Sequence, residues 1–321
     1  MSPPTIRIDR LHAPAIIYFD AVRRHGSMRA AARALNVASP AVNRQILKIE
    51  DTIGAPLFER LPRGLQLTSV GEIFARHVMN VVQDSQRVSG ELESLYGIER
   101  GSVSLVVAEG LASGFVPRVL SSFQASYPNV SFDVTTAGSN DMIAALTGGS
   151  ADLALAFGLE QHQDVMLLET RNFPLGAVLA ARHPLASKSE VTLSECADYP
   201  VVLAHGNLSI DALVGSLLDK KGIQLRSTVR TNSIELMRNM AAAGQHIMFA
   251  TTLGFEADIA ASKLAHRPLA DSGGISVPLS LLARAGRMLP PAVRRFSSSC
   301  GEELRAAAGE LDDAVLAAPR K

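Results

Sequence analysis

The sequence lacks most features that would commit it to a specialised class. Only two cysteines, Cys196 and Cys300, occur in 321 residues. That is too few for a disulfide framework and suits a reducing compartment. No apolar run approaches the roughly 18 residues of a membrane span. The opening MSPPTIRIDRLHAP has no apolar core of a secretory leader, so the expected location is cytoplasmic. C-x-x-C, H-E-x-x-H, G-x-x-x-x-G-K-[ST] and G-x-G-x-x-G are all absent, which removes the usual redox, zinc and nucleotide signatures. In Gly110-Leu111-Ala112-Ser113-Gly114 the serine stands one position too late for a G-x-S-x-G nucleophile elbow. The eight histidines are scattered. The expectation is a non-enzyme with no catalytic residue, no metal and no cofactor.

Net charge is also absent, since 31 Lys and Arg balance 31 Asp and Glu. Taken whole, that argues against a polyanion partner. Divided along the chain, it does the opposite. Residues 1–70 carry ten basic side chains against five acidic ones, a net of +5, and the other 251 residues carry −5. Such asymmetry suggests a basic module joined to an acidic body. The hydrophobic fraction of 47% and charged fraction of 19% are those of a globular protein. The length suits two or three domains.

Within the basic segment, Ala15, Ile16, Phe19 and Val22 recur at helical spacing up to Gly26. Ser27 stands at an N-cap position before MRAAARAL, and Asn36-Val37-Ala38 makes a turn. Ser39-Pro40 then reads as a second helix start, with a capping hydroxyl followed by proline at the first helical position. The helix AVNRQILKIEDTI is expected to turn Val42, Ile46, Ile49 and Ile53 inward and Asn43, Arg44 and Lys48 outward. Beyond Gly54, PLFERLPRGLQLT reads as two short strands around Pro62-Arg63-Gly64, a wing with arginine at its tip. The pattern is a winged helix-turn-helix.

These residues resemble the DNA-binding module of LysR-type transcriptional regulators. The matching positions are Ser27, Ala31-Ala32, Leu35, Pro40-Ala41-Val42, Gln45-Ile46, Glu50, Gly54, Leu57-Phe58, Arg60, Arg63, Leu67-Thr68 and Gly71. The sequence departs from the family at Ser39, where glutamine is common, and at Asn43, where serine is usual, so the operator preference stays open. By side-chain chemistry, Ser39 and Asn43 reach base edges and Pro40 meets a thymine methyl. Arg44 and Lys48 suit phosphate, and Arg60 and Arg63 suit a narrow minor groove. Ser27 completes the expected DNA-binding set.

From Thr68-Ser69 to Tyr96 a single helix carries Phe74, Val78, Val81, Val88, Leu92 and Leu95 three and four apart, with Ser85 the polar member of the seam. That heptad spacing argues for pairing with another helix. By the resemblance it is a dimerisation linker, and the expected assembly is a homo-oligomer: a dimer by the heptads, a tetramer by the family.

From residue 102 onward strands alternate with helices, which implies an α/β body with mostly parallel sheets. The layout is similar to the LysR-type effector-binding region, in which two lobes of periplasmic-binding-protein type are joined by crossovers. The expected domains are therefore 11–69 for DNA binding, 70–97 for the linker helix, 102–161 plus 268–300 for lobe I, and 162–267 for lobe II. Ligands of open α/β sheets lie beyond the carboxyl ends of strands. Strand ends supply Glu109, Gly110, Ser113, Ser139 and Asn140 from lobe I, and His205, Asn207, Ser209, Thr251 and Thr252 from lobe II. Glu109 stands where the resemblance leads one to expect serine or threonine, and it favours a small polar effector carrying a hydrogen-bond donor or cationic group. The two cysteines read as inert buried thiols, and the resemblance leaves a redox pairing open. The expected partners are double-stranded operator DNA and a small polar metabolite, with no membrane. A solute-binding protein of transport type and an α/β enzyme with an accessory DNA-binding domain are the alternatives. The basic module opposes the first and the absence of a catalytic motif the second.

Overall fold

The computed structural model describes residues 14–61, 64–95, 100–158, 162–206, 208–271 and 275–317, with the backbone alone described at Gln83, Gln86, 93–95, Asn140, Ser209 and 310–317. Contacts divide the chain into two compact units. One is Met1–Gly101 with Gly148–Ser150 and Met288–Arg294; the other is Ser102–Thr147, Ala151–Arg287 and Arg295–Lys321.

In the first unit, α1 (Pro14–His25), α2 (Met28–Ala34) and α3 (Ser39–Ile53) precede an antiparallel hairpin of β1 (Phe58–Leu61) and β2 (Gly64–Leu67). The long helix α4 (Ser69–Leu95) follows. One apolar cluster joins them: Phe19, Val22, Ala31, Val42, Ile46, Ile49, Leu57 and Val78 are all buried. Phe19 meets the Phe74 ring edge-on at 4.8 Å and the Phe58 ring at 5.1 Å, an arrangement that aromatic quadrupoles favour. The alanines of α2 let the three helices approach closely.

Several sequence expectations change in detail. Ser39 is the first residue of α3 and Ala38 is its N-cap, so no hydroxyl caps this helix; Ser27 holds the α2 cap position without a side-chain bond. Ile53 is exposed, because α3 ends beside it at Gly54 in the left-handed conformation, φ 78°. Thr68 caps α4, its hydroxyl accepting from Gly71 N–H at 3.0 Å and donating to the Pro56 carbonyl at 2.7 Å. Glu50 accepts from Leu57 N–H at 2.8 Å, which ties the wing to α3. Phe74 and Val78 are spent on this unit's own core, while Val81, Val88 and Leu92 stay half-buried along α4. Leu95 is described by its backbone only, and Tyr96 lies outside the described residues.

Among the described residues, the second unit carries a five-stranded sheet, a three-stranded sheet and a two-stranded pair. The first has the order β4-β3-β5-β12-β6, from β3 (Gly101–Val107), β4 (Val130–Thr136), β5 (Leu153–Phe157), β6 (Val165–Pro174) and β12 (Ser276–Arg284). Helices α5 (Phe115–Ser126), α6 (Ser139–Thr147) and α11 (Pro291–Ala317) accompany it. The second sheet is β10-β7-β11, from β7 (Gly176–Ala180), β10 (Met248–Ala250) and β11 (Leu264–Pro268). Beside it run the parallel strands β8 (Val201–Ala204) and β9 (Ser227–Thr231), bridged to it at Val201–Ile247. Helices α7 (Leu193–Ala197), α8 (Ser209–Lys221), α9 (Ile234–Ala243) and α10 (Glu256–Ala260) belong to this half.

The sheets are not mostly parallel: the first is mixed and β10-β7-β11 is wholly antiparallel. β3 and β5 run parallel, but β12 is antiparallel to both β5 and β6, and β7 is antiparallel to both its neighbours. The expected lobe boundaries also shift. β6 pairs with β12 along its whole length, so residues 165–174 belong to the first sheet, and the crossing to lobe II comes at Leu175. The return lies after Leu269, which still bridges Val191. α7 and β11 span five residues each, too short for a periodic signal in the sequence. The terminal helix α11 runs from Pro291 to Ala317.

Candidate functional site

α3 has a dry face and a wet one. Val42, Ile46 and Ile49 are buried, and at 3.6 residues per turn this turns the intervening positions outward. Pro40, Arg44 and Lys48 are exposed, with Ser39 and Asn43 half-buried at the margin. Arg60 is exposed on β1, while Arg63 lies outside the described residues. Ser27 is half-buried at the start of α2. Arg23 and Arg24 of α1 are already paired with Asp20, each at 2.8 Å. Arg44, Lys48 and Arg60 form no salt bridge among the described residues. Their charge is therefore available to phosphate.

In the second unit, the carboxyl ends of strands from both sheets converge on two adjoining cavities. The first, about 70 Å³, is walled by Phe157, Leu208, Ile210, Ile234, Phe249, Leu253, Phe255 and Val277, with Glu109, Gly110 and Thr251 also on its surface. The second, about 330 Å³, is lined by Glu109, Thr136, Gly138, His205, Leu208 and Asn232. Glu109 and Leu208 border both. Glu109 follows β3, yet its Oε1 accepts from the backbone N–H of Ile234, the first residue of α9, at 3.1 Å. A carboxylate from one sheet thus sits at a helix N-terminus of the other, where the backbone dipole favours negative charge.

Beside the cavities the two halves touch closely. Arg238 of α9 donates to the Ser113 hydroxyl and to the Gly254 carbonyl, and its guanidinium lies 5.0 Å from the centre of the Phe255 ring. Gly254 has φ 88°, and a Cβ there would stand 1.9 Å from the Gly110 carbonyl oxygen, so only glycine fits. Glu256 accepts from Gly254 N–H at 2.8 Å and shapes this turn.

The ten expected effector residues separate accordingly. Glu109, Gly110, His205 and Thr251 line the cavities. Ser113 faces Arg238 instead. Thr252 does not line either cavity, and its carbonyl accepts from Phe255 N–H at 3.0 Å. Ser139 begins α6 behind Gly138 without lining a cavity. Asn207 is outside the described residues, and the side chains of Asn140 and Ser209 are not described. The sequence reading missed Thr136 and Asn232, which the strand-end rule reaches since they end or follow β4 and β9. It also missed the apolar wall, whose residues read individually as core.

Both thiols are buried and unpaired, and burial pushes each up to about 12, so neither is a ready nucleophile.

A winged helix-turn-helix and a two-sheet α/β body with a cleft, on one chain, define the class of ligand-responsive transcriptional regulators. Comparison with known proteins agrees. Residues 15–72 match the family model described as bacterial regulatory helix-turn-helix protein, lysR family, and residues 97–305 match the LysR substrate binding domain. The chain is 30% identical over 207 residues to an uncharacterized HTH-type transcriptional regulator, YybE, of Bacillus subtilis (strain 168), covering 64% of this chain and 71% of that one. It is 25% identical over 294 residues to the RuBisCO operon transcriptional regulator of Acidithiobacillus ferrooxidans, covering 91% and 93%. Among solved structures, a full-length Cys-to-Asp variant of OxyR from Pseudomonas aeruginosa superposes with a TM-score of 0.72 at 17% identity, over 94% of this chain and 96% of that one. The protein belongs to the LysR family of transcriptional regulators.

Proposed function

We propose that the protein reads operator DNA through α3 and the wing, and that a small molecule held between the two sheets of the second unit modulates this binding. The carrying observation is α3 itself, whose buried face locks it into the first unit while Ser39, Pro40, Asn43, Arg44 and Lys48 are left toward solvent. Ser39, Pro40 and Asn43 face the bases in this reading. Arg44, Lys48, Arg60 and Arg63 contact phosphate or the minor groove, and Ser27 supports them at the start of α2. The half-buried stripe Val81, Val88 and Leu92 supports pairing of two copies through α4, which presents two recognition helices to a two-fold operator. A tetramer, built as a dimer of dimers, is the assembly we expect. The site of action is the cytoplasm, and the role is regulatory, not catalytic. Ligand binding at the cleft works by shifting the closure of the two halves.

The experiment is gel retardation with duplex DNA from the region upstream of the coding sequence. Specific retardation at low salt that weakens steeply as salt rises is the expected result. No retardation even at low salt would sink the reading.

A further inference from the structure

The cleft described above is the setting, so this inference rests on the regulator reading and adds the chemistry of the ligand. Among the described residues lining the two cavities, the ionisable side chains are Glu109 and His205, and there is no lysine or arginine. A carboxylate ligand would need a cation or unclaimed helix amides to replace its water. The head of α9, which Glu109 reaches, offers neither freely. At α9 the Ile234 N–H is taken by Glu109 and the Leu236 N–H by the Ser233 hydroxyl at 3.3 Å. The first turns of α6, α8 and α9 also carry Asp141, Asp211 and Glu235, so each helix dipole already has its own acid. Arg238, the cation on α9, is engaged with Ser113, Gly254 and Asp258 and lines neither cavity.

We propose that Glu109 fixes the ligand class of this cleft: an amine, cationic at neutral pH, on an apolar or aromatic body. Glu109 fills the place at the head of α9 that a ligand carboxylate would occupy. One of its oxygens holds the Ile234 amide, and a carboxylate has a second to offer an ammonium group. The neighbouring walls of Phe157, Ile210, Phe249 and Phe255 accept the carbon body, where apolar burial supplies the affinity. An anion entering the same space would face Glu109 with no lysine or arginine on the lining to oppose it, and like charges in a cleft of low polarity repel strongly.

The test is thermal shift of the full-length chain with matched amine and acid pairs: benzylamine with benzoate, phenethylamine with phenylacetate, and hexylamine with hexanoate. For the wild type, amines are expected to raise Tm and their paired acids are not. The rise at about tenfold excess over Kd is on the order of 3 °C. Glu109→Gln should abolish the amine preference, and Glu109→Ala should open α9 so that an acid now stabilises. If no amine of the series stabilises the wild type more than its paired acid does, the assignment is overturned. The same holds if neither Glu109 variant changes the amine-to-acid order. Gel retardation on the same wild-type preparation keeps the two readings apart. Loss of DNA binding counts against the regulator, and loss of the amine preference alone counts against this inference.

Discussion

Arg238 and Ser113 lie 125 residues apart in sequence, yet the Arg238 guanidinium donates to the Ser113 hydroxyl and joins the two halves of the α/β body. The same guanidinium holds the Gly254 carbonyl and lies over the Phe255 ring. Ser113→Ala and Arg238→Ala should therefore be coupled. Unfolding of the two single variants and the double variant should give an interaction of about 1–2 kcal/mol. Strict additivity would show that the contact contributes nothing to stability.

Arg44 and Lys48 should behave as phosphate contacts and Asn43 as a base contact. Arg44→Ala and Lys48→Ala should each weaken binding to every duplex alike, and each should reduce the slope of log affinity against log salt by about 1. Asn43→Ala should instead change which sequences are preferred, leaving the slope in place. Retardation titrations at several salt concentrations, with specific and scrambled duplexes, distinguish the two behaviours.

On α4, Val78 and Val88 should part company. Val78 is fully buried in the first unit's core, so Val78→Ala should cost about 2 kcal/mol of stability with oligomeric state retained. Val88 is half-buried beyond that core, so Val88→Glu should shift the sedimentation profile towards the monomer and weaken DNA binding. If the Val88→Glu chain sediments as the wild type does, α4 is not the pairing surface at this position.

Acid should destabilise the second unit through His266. Burial lowers this imidazole to about 4, with the nearby Arg267 charge acting the same way, although its hydrogen bond to the Ala250 carbonyl opposes the shift. Its ordinary value is near 6.5. Between those values the unfolded chain binds more protons than the folded one, so stability is complete above about pH 6.5 and falls as pH drops towards 4. A shift of that size corresponds to at most about 3 kcal/mol, and since His266 is only half-buried the effect is smaller. Burial also lowers His183 in the same direction. Melting curves from pH 7.5 to 4.5 should show the loss, and His266→Gln should flatten it.

The recognition module was legible because its signals are local. The Ser39-Pro40 start, the apolar spacing of Val42, Ile46 and Ile49, and the glycine at 54 act within one or two helical turns. Even there the side-chain preference for serine points to Ser39 as the cap, whereas the backbone turns helical one residue earlier, after an extended Ala38. In the α/β body, alternation revealed strands and helices but not their pairing direction. β6 looked like the first strand of a second lobe, and only its long register with β12 assigns it to the first sheet.

Local patterns were enough for the class of the protein, because helix periodicity is set by neighbouring residues, and the segregation of charge is plain from the residue order. A total charge of zero hides +5 on the DNA-reading segment and −5 on the remainder. The resemblance to the family, with serine or threonine usual there, marks Glu109 as unusual at a strand end. Tertiary structure alone decided what Glu109 does: its partner, the Ile234 amide, is 125 residues away. It likewise decided that Ser113 serves Arg238, and that scattered phenylalanines form one cavity wall. Contacts between distant segments depend on how the sheets pack, and no local pattern records that packing.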